Sequence, residues 1–387
     1  MRAQKCVVER CCLLGLALVF GCGSSGGAGA KAVGSGGQDG SGGSAGSGPP
    51  HIVIPCMKGG DELERGKWDS ITPPQIDLAT SGTLAFTVDP NDSRNIFVGS
   101  NKRGIYKSRD CGANWEHLDL GQNGPEIDKG ANNHLLIDST NTQVIYTTAG
   151  YGGPAGILKS TDGGVNWTQI LSQAVQDTFY AGGFIESVAM EPGHPNHIVA
   201  TTHGTCSGQY SPGCVAETTD SGANWTLKGG APTWVETQNF EMIDDKLWLI
   251  GQIFGDDGIW RTGDAGVTWS KKGSKTGTAF YHAANGAIYA AGPGGVQKSV
   301  DKGLTWTAVA NSPNCSVITG DGTNIYVGYF TAGKPYYSAS EADDTTWTQL
   351  DTPMNSGPCL PTFVYDKGQK VLYSTNCANG LWRGTIP

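Results

Sequence analysis

The strongest constraint on this chain is a short pattern that returns along its length. Ser160-Thr161-Asp162-Gly163-Gly164-Val165-Asn166-Trp167 fits Ser/Thr-x-Asp-x-Gly-x-x-Trp. The same spacing recurs at Ser108/Asp110/Gly112/Trp115, Thr218/Asp220/Gly222/Trp225, Thr262/Asp264/Gly266/Trp269 and Ser299/Asp301/Gly303/Trp306. A worn copy ends at Trp347, with Ser340 kept but Ala342 and Asp344 replacing the Asp and the Gly. Successive tryptophans stand 37 to 58 residues apart, which is the period of propeller blades.

The pattern spells a turn. An Asp carboxylate accepts backbone N–H bonds a few residues on, the Gly takes a positive φ that a Cβ would penalise, and the Trp opens the next strand with its ring between sheets. Five copies on one turn point to scaffold rather than catalysis for Asp110, Asp162, Asp220, Asp264 and Asp301. The pattern resembles the Asp-box (BNR) repeat of sialidases, two-propeller xyloglucan hydrolases and sortilin-type receptors. The resemblance runs over roughly residues 66 to 387, and it implies a β-propeller without fixing a function.

Counting strands gives the architecture. Blade 1 reads as Leu84–Val88, Asn95–Gly99, Gly104–Ser108 and a strand from Trp115, and the unit repeats six times up to Trp347. Three more strands follow, Thr362–Tyr365, Lys370–Ser374 and Gly380–Arg383. The missing fourth lies at the other end, in Lys67–Thr72, whose Trp68 imitates the other Trp strands. The expectation is an all-β, seven-bladed β-propeller with the N-terminal strand closing the last blade and leaving no exposed edge. An abundance of turns is needed for this, and 59 glycines supply them.

Residues 1–22 read as a signal peptide. A basic start is followed by an apolar run, Cys11 to Gly21, too short to span a bilayer. It ends in Leu18-Val19-Phe20-Gly21-Cys22, which resembles the lipobox of bacterial lipoproteins and implies lipidation at Cys22. Residues 23–55 read as a Gly/Ser-rich flexible linker and 56–387 as the propeller. The expected location is extracytoplasmic, lipid-anchored to a bacterial envelope or secreted, with the membrane met only through the anchor. Export makes disulfides the expected state of the cysteines. The blade layout brings Cys56 beside Cys111 and sets Cys206 and Cys214 in one loop. Among the top-face Cys315, Cys359 and Cys377, the first choice of pair is Cys359–Cys377.

A net charge of −9 leaves no basic stripe for nucleic acid. The expected partner is a polysaccharide or oligosaccharide met by a monomer, at the face opposite the Asp-containing turns, where the long loops gather. There His134, Tyr151, His203, Arg103 and Glu236 are the candidate catalytic residues. Asn101, Lys102, Asn133, Tyr210, Trp234, Gln238 and His282 are candidate substrate contacts. A His and a Tyr beside Lys102 or Arg103 suit a lyase, which removes the proton next to a uronate carboxylate and protonates the leaving oxygen. Glu186, Glu236, Asp256 and Asp257 suit a glycoside hydrolase instead. No cofactor is expected, with calcium left open at Asp256-Asp257. A purely binding or envelope-assembly propeller is the alternative to an enzyme.

The resemblance also excludes. Sialidases carry an Arg-Ile-Pro motif and three arginines on the sialate carboxylate; the motif is absent, and only Arg103 stands on the top face. In the xyloglucan hydrolases a catalytic Asp precedes the Gly-x-Tyr of the third strand by three residues. Here Asn101 stands there, before Gly104-Ile105-Tyr106.

Overall fold

The computed structural model describes residues 51–53, 62–152, 156–172, 184–203, 205–211, 213–231, 237–252, 258–273, 278–329, 335–352 and 362–386. For residues 51–53, 62, 231, 237–239 and 252 only the backbone is described. Seven four-stranded antiparallel sheets make seven blades. Blade 1 is Thr83–Val88, Ile96–Ser100, Ile105–Ser108 and Glu116–His117. The first strand of every blade contacts the first strand of the next, and that of the seventh, Phe363–Asp366, returns to Thr83–Val88. The ring is closed.

Closure is made by the expected strand. Trp68–Ser70 is the fourth member of blade 7, beside Leu381–Thr385, with Trp68 opposite Gly384, Asp69 opposite Arg383 and Ser70 opposite Trp382. Because side chains alternate across a strand, this register sends Asp69 and Arg383 to one face and Trp68 and Trp382 to the other. Arg383 is 3% exposed, and its guanidinium donates to both Asp69 carboxylate oxygens at 3.2 and 2.6 Å and to the Cys111 carbonyl of blade 1 at 3.2 Å. A buried cation paired on two sides in this way fixes register, since a slip by one residue would strand the charge.

The five repeated turns share one hydrogen-bond pattern. In blade 2 the Ser160 hydroxyl donates to Asp162 Oδ1 at 2.8 Å and accepts from the Gly164 N–H at 2.9 Å. Asp162 also accepts from the Asn166 backbone N–H at 2.9 Å and from its side-chain amide at 2.7 Å. Asn114 and Asn224 repeat this role, and Thr268 and Thr305 replace the amide with a hydroxyl. These bonds to the charged form hold Asp220, Asp264 and Asp301 down at about 2. The turn glycine is needed twice over: Gly164 has φ +96°, and a Cβ there would lie 2.5 Å from Leu118 of the preceding blade. In blade 6 the worn copy re-forms on Asp343, which takes Thr345 and Thr346, while Asp344 turns away to Tyr289 and Lys298.

Between blades the core is continuous. Ile71, Ile96, Tyr106, Val371 and Tyr373 join blades 7 and 1, and Phe97, Leu118, Ile145 and Trp167 join blades 1 and 2. Indole N–H groups stitch the rim, Trp115 to the Ile71 carbonyl and Trp225 to the Ile170 carbonyl, both at 2.9 Å.

One expectation changes. His51–Val53 was assigned to the linker, yet it pairs antiparallel with Glu62–Glu64, and the compact unit begins at His51. Ile52 and Val53 give this segment the strand propensity that the Gly/Ser tract before it lacks. The loop 121–133 also contains a helical turn, Gly124–Ile127, with Pro125 in its first turn. Residues 1–50, and with them the signal peptide, most of the linker and Cys22, lie outside the described residues. Cys206 and Cys214 are joined, and Cys111 and Cys377 are also in disulfides. Cys56 and Cys359, the partners expected for those two, lie outside the described residues. Cys315 is free and buried, and burial pushes its thiol up to about 12.

Candidate functional site

The turns of the repeat lie on one face, and the loops between second and third strands lie on the other. On that top face three backbone segments form a miniature ladder across blades 1 and 2. Asn101 bridges Ala131, and Ala131 bridges Gly150. Ala131 and Gly150 exchange N–H···O bonds of 2.7 and 3.0 Å, and the Lys102 N–H donates to the Gly130 carbonyl at 2.9 Å. Asn132, fully buried, donates its amide to the carbonyls of Ser100 and Ile127 at 3.3 Å each, tying ladder and helical turn together.

The residues just beyond the ladder's outer members are Lys102 and Tyr151, and both are left-handed, with φ of 60° and 49°. A non-glycine residue held there stores on the order of 1–3 kcal/mol, and such strain clusters at functional sites. Two ladder steps separate the two corners, roughly 10 Å. Both side chains are exposed, as is Arg103. The arrangement sets a cation and a phenol on one surface, with corners within the combined reach of the two side chains.

Tyr151 is 42% exposed and His203 only 7%, and the phenol oxygen lies 3.3 Å from His203 Nε2. Phe184 holds the pair: its ring stacks on His203 at 4.6 Å and 12° and meets Tyr151 at 4.4 Å. Phe184 and His203 are cross-strand partners at the top of blade 3, and Gly150 lets the Phe184 ring in, since a Cβ there would come within 2.7 Å of it. His134 opens the first strand of blade 2, its backbone N–H bonded to Thr148 Oγ1 at 3.1 Å. Burial pushes its imidazole down to about 4, so it is neutral across the working pH range. Two bulges re-aim the inner strands nearby: the register skips at Glu186 in blade 3 and at Gln238 in blade 4.

Sequence reasoning missed two things. Phe184 carries no chemical signature, and only its register opposite His203 reveals it. The other is His117, whose Nδ1 meets Asp119 at 3.1 Å and whose Nε2 meets Asp128 at 3.1 Å, with Tyr106 stacked 4.4 Å away. Burial pulls this imidazole down, but the hydrogen bond and charge of Asp128, with Asp119, outweigh it and hold the pKa above the ordinary histidine value. The three groups have metal-ligand chemistry and lie within 4.8 Å of one another. The two nitrogens face opposite carboxylates, however, so the ring itself bridges them. The cluster fastens Asp128, and with it the helical turn, beside Gly104.

Of the other expected residues, Asn133 is half-buried beside His134. Tyr210 ends a 3-10 turn and packs on the Cys206–Cys214 bridge with Leu227 of the outer strand. His282 does not belong to the top face. It pairs with Ile288, which pairs with Ser299, the first residue of a repeated turn. His282 therefore ends the inner strand of blade 5 at the opposite face, where Glu241 accepts at 3.1 Å. Burial lowers and the Glu241 contact raises its pKa, with the raise prevailing. Trp234, Glu236, Asp256 and Asp257 lie outside the described residues.

No protein-family profile matches the chain. Over 148 residues it is 28% identical to xyloglucanase Xgh74A of Acetivibrio thermocellus, an alignment taking in 35% of this chain. The chain spans 17% of the length of that curated relative. Among solved structures, YCF48 from Cyanidioschyzon merolae superposes with a TM-score of 0.58 at 14% identity, over 82% of this chain and 98% of that one. A YCF48 bound to D1 peptide gives 0.60 at 16%, over 84% and 99%. An ancestral GH74 enzyme gives 0.56 at 15%, over 80% and 45%. The chain is a seven-bladed β-propeller. Its structural neighbours include GH74 enzymes and YCF48, and at these identities the likeness is one of fold.

Proposed function

We propose that this propeller is exported, tethered to a bacterial envelope through Cys22, and acts on an extracellular polysaccharide by β-elimination at the Tyr151 corner. One observation carries the reading: an exposed phenol hydroxyl rests on the Nε2 of a buried histidine. His203 is too enclosed to meet a polymer, so Tyr151 is the group that touches it. Tyr151 removes the proton on the carbon next to a uronate carboxyl as His203 takes the phenol proton. The electron pair enters an enolate-like carboxylate, which Lys102 and Arg103 stabilise. Collapse forms the carbon–carbon double bond and breaks the bond to the glycosidic oxygen. That oxygen takes its proton from Tyr151, which recovers one from His203. His134, neutral, is suited to hold a sugar hydroxyl.

Hydrolysis is the weaker chemistry, since Asn101 occupies the position where the resemblance to xyloglucan hydrolases puts a catalytic Asp. A recognition role without turnover is the second reading, favoured by the superposition over nearly all of YCF48 and the D1 peptide bound to one such structure.

The test is a polysaccharide screen that records ultraviolet absorbance of unsaturated uronates and new reducing ends in parallel. Both signals rising, and both lost by about 100-fold or more in Tyr151→Phe with an unchanged melting temperature, supports elimination. Reducing ends without absorbance move the reaction to the carboxylates. Silence on the whole panel with glycan or peptide binding retained refutes an enzyme.

A further inference from the structure

A second place on the ring has the chemistry of a sugar site, on its outer flank between blades 6 and 7. A groove of about 350 Å³ is lined by Lys67, Trp68, Gln349, Asp351, Thr352 and Trp382, with Leu350 at its floor. It follows from the way the ring closes. In blades 1, 2, 3 and 5 the repeated turn joins third strand to fourth and drives its glycine against the preceding blade, as Gly112 does on Ile71 and Gly222 on Ile170. In blade 7 the third and fourth strands, Leu381–Thr385 and Trp68–Ser70, come from distant parts of the chain; residues 64–67 make the turn there, the Gly66 N–H donating to Thr385 Oγ1 at 2.9 Å, and Trp68 faces blade 6.

Two indoles line the seam side by side. The register places Trp68 opposite Gly384 and Trp382 opposite Ser70, so both rings leave the same face of the sheet as a diagonal pair, roughly 7–8 Å apart. That face turns to blade 6: the Trp68 N–H donates to the Asp351 carbonyl at 3.0 Å, and its ring meets Tyr336 edge-on at 5.6 Å. Gly384 lets the Trp68 ring lie flat on the strand, since a Cβ there would come within 2.5 to 2.7 Å of three ring atoms. The Trp382 N–H is tied to the Asn379 carbonyl at 2.6 Å, which fixes the second ring. Across from the rings, exposed Gln349 and half-buried Thr352 supply an amide and a hydroxyl, and Lys67 and Asp351 form an exposed pair at 2.5 Å. The pair cancels its own charge.

We infer that this groove binds two consecutive units of a neutral, β-linked glucan-type chain, stacked on Trp68 and Trp382 and hydrogen-bonded by Gln349, Asp351 and Lys67. Flat apolar rings with amide and carboxylate edges match pyranose faces and equatorial hydroxyls. The absence of net charge selects neutral units, where the Lys102 and Arg103 side of the top face suits uronates. The inference extends the carbohydrate reading to a holding site that performs no chemistry, a flank on which a polymer rests while its acidic parts reach the top.

The test titrates the full chain with cellohexaose and soluble xyloglucan, following tryptophan fluorescence and affinity electrophoresis, with polygalacturonate as the charged control. Binding to the neutral probes is expected to fall roughly tenfold or more in Trp382→Ala. Gln349→Trp, an exposed position where a large ring plugs the groove without entering the core, gives the same loss should the first variant fold poorly. Tyr151→Phe is expected to leave this binding intact. Absence of neutral-glucan binding by the wild type, or binding that both groove variants keep, overturns the inference. Groove binding without any turnover in the polysaccharide screen refutes only the elimination reading, and turnover without groove binding refutes only the groove.

Discussion

Replacing Asp162 with Ala separates scaffold from chemistry, and the structure gives its size. The carboxylate accepts three hydrogen bonds, from the Ser160 hydroxyl and from both the backbone and the side chain of Asn166. The residue is exposed, so water competes and each bond belongs at the low end of the usual range; the three together are worth about 2 kcal/mol. Urea unfolding followed by tryptophan fluorescence should show that loss at pH 7, with Asp162→Asn losing about half. The effect must also depend on pH. Burial opposes the shift, but the hydrogen bonds from Asn166 and Ser160 prevail and lower the folded pKa. A depressed carboxylate contributes fully above its unfolded pKa, near 3.9, and loses that contribution as pH falls through the folded value. The gap between wild type and Asp162→Ala should therefore narrow in that acid range. Whatever turnover the top face has should survive per folded molecule, because the turn lies on the opposite face. A cost under about 0.5 kcal/mol, a gap indifferent to pH, or turnover lost from a fully folded variant would each refute the reasoning.

Gly164→Ala should cost about 3 kcal/mol by the same assay, one part from the left-handed backbone and the rest from a Cβ driven into Leu118. The His117 pair should stabilise the fold below the unfolded histidine value and lose that contribution as pH rises through the raised folded pKa. The difference between wild type and His117→Gln, measured by urea midpoint, should thus be larger at about pH 5.5 than at about pH 8.5. Cys206→Ser with Cys214→Ser opens a loop of sequence separation 8 and should cost about 2.5 kcal/mol, read from denaturation under non-reducing conditions.

The ring was legible in the sequence because its defining bonds are local. Ser160, Asp162 and Asn166 find one another within seven residues, and the closing strand announces itself through Trp68. The position before each Trp, always Asn or Thr, was equally visible and is the last donor of the turn. What was hidden depends on pairing between distant segments. The ladder of Asn101, Ala131 and Gly150 leaves no composition signal, and Phe184 becomes part of the site only through its place opposite His203. His282 went to the wrong face because the inner strand of blade 5 runs through it, one register step further than its polar character suggests. His117 carries no motif, since its second carboxylate, Asp128, is brought to it only by the folding of the intervening loop.

The closing of blade 7 also sets an order of events. Trp68–Ser70 has its hydrogen-bonding partner in Leu381–Thr385, more than 300 residues downstream. Blades 1 to 6 can each zip from contiguous chain as it emerges from the ribosome, and each then offers a flank on which the next can grow. Trp68–Ser70, made before any blade, has nowhere to pair until the last strand has appeared. Joining such remote ends carries the largest loop-closure entropy in the molecule, so closure of the ring is expected to come late. Arg383, caught between Asp69 and the Cys111 carbonyl, is the latch of that gate, and its protection from hydrogen exchange would time the final act of folding.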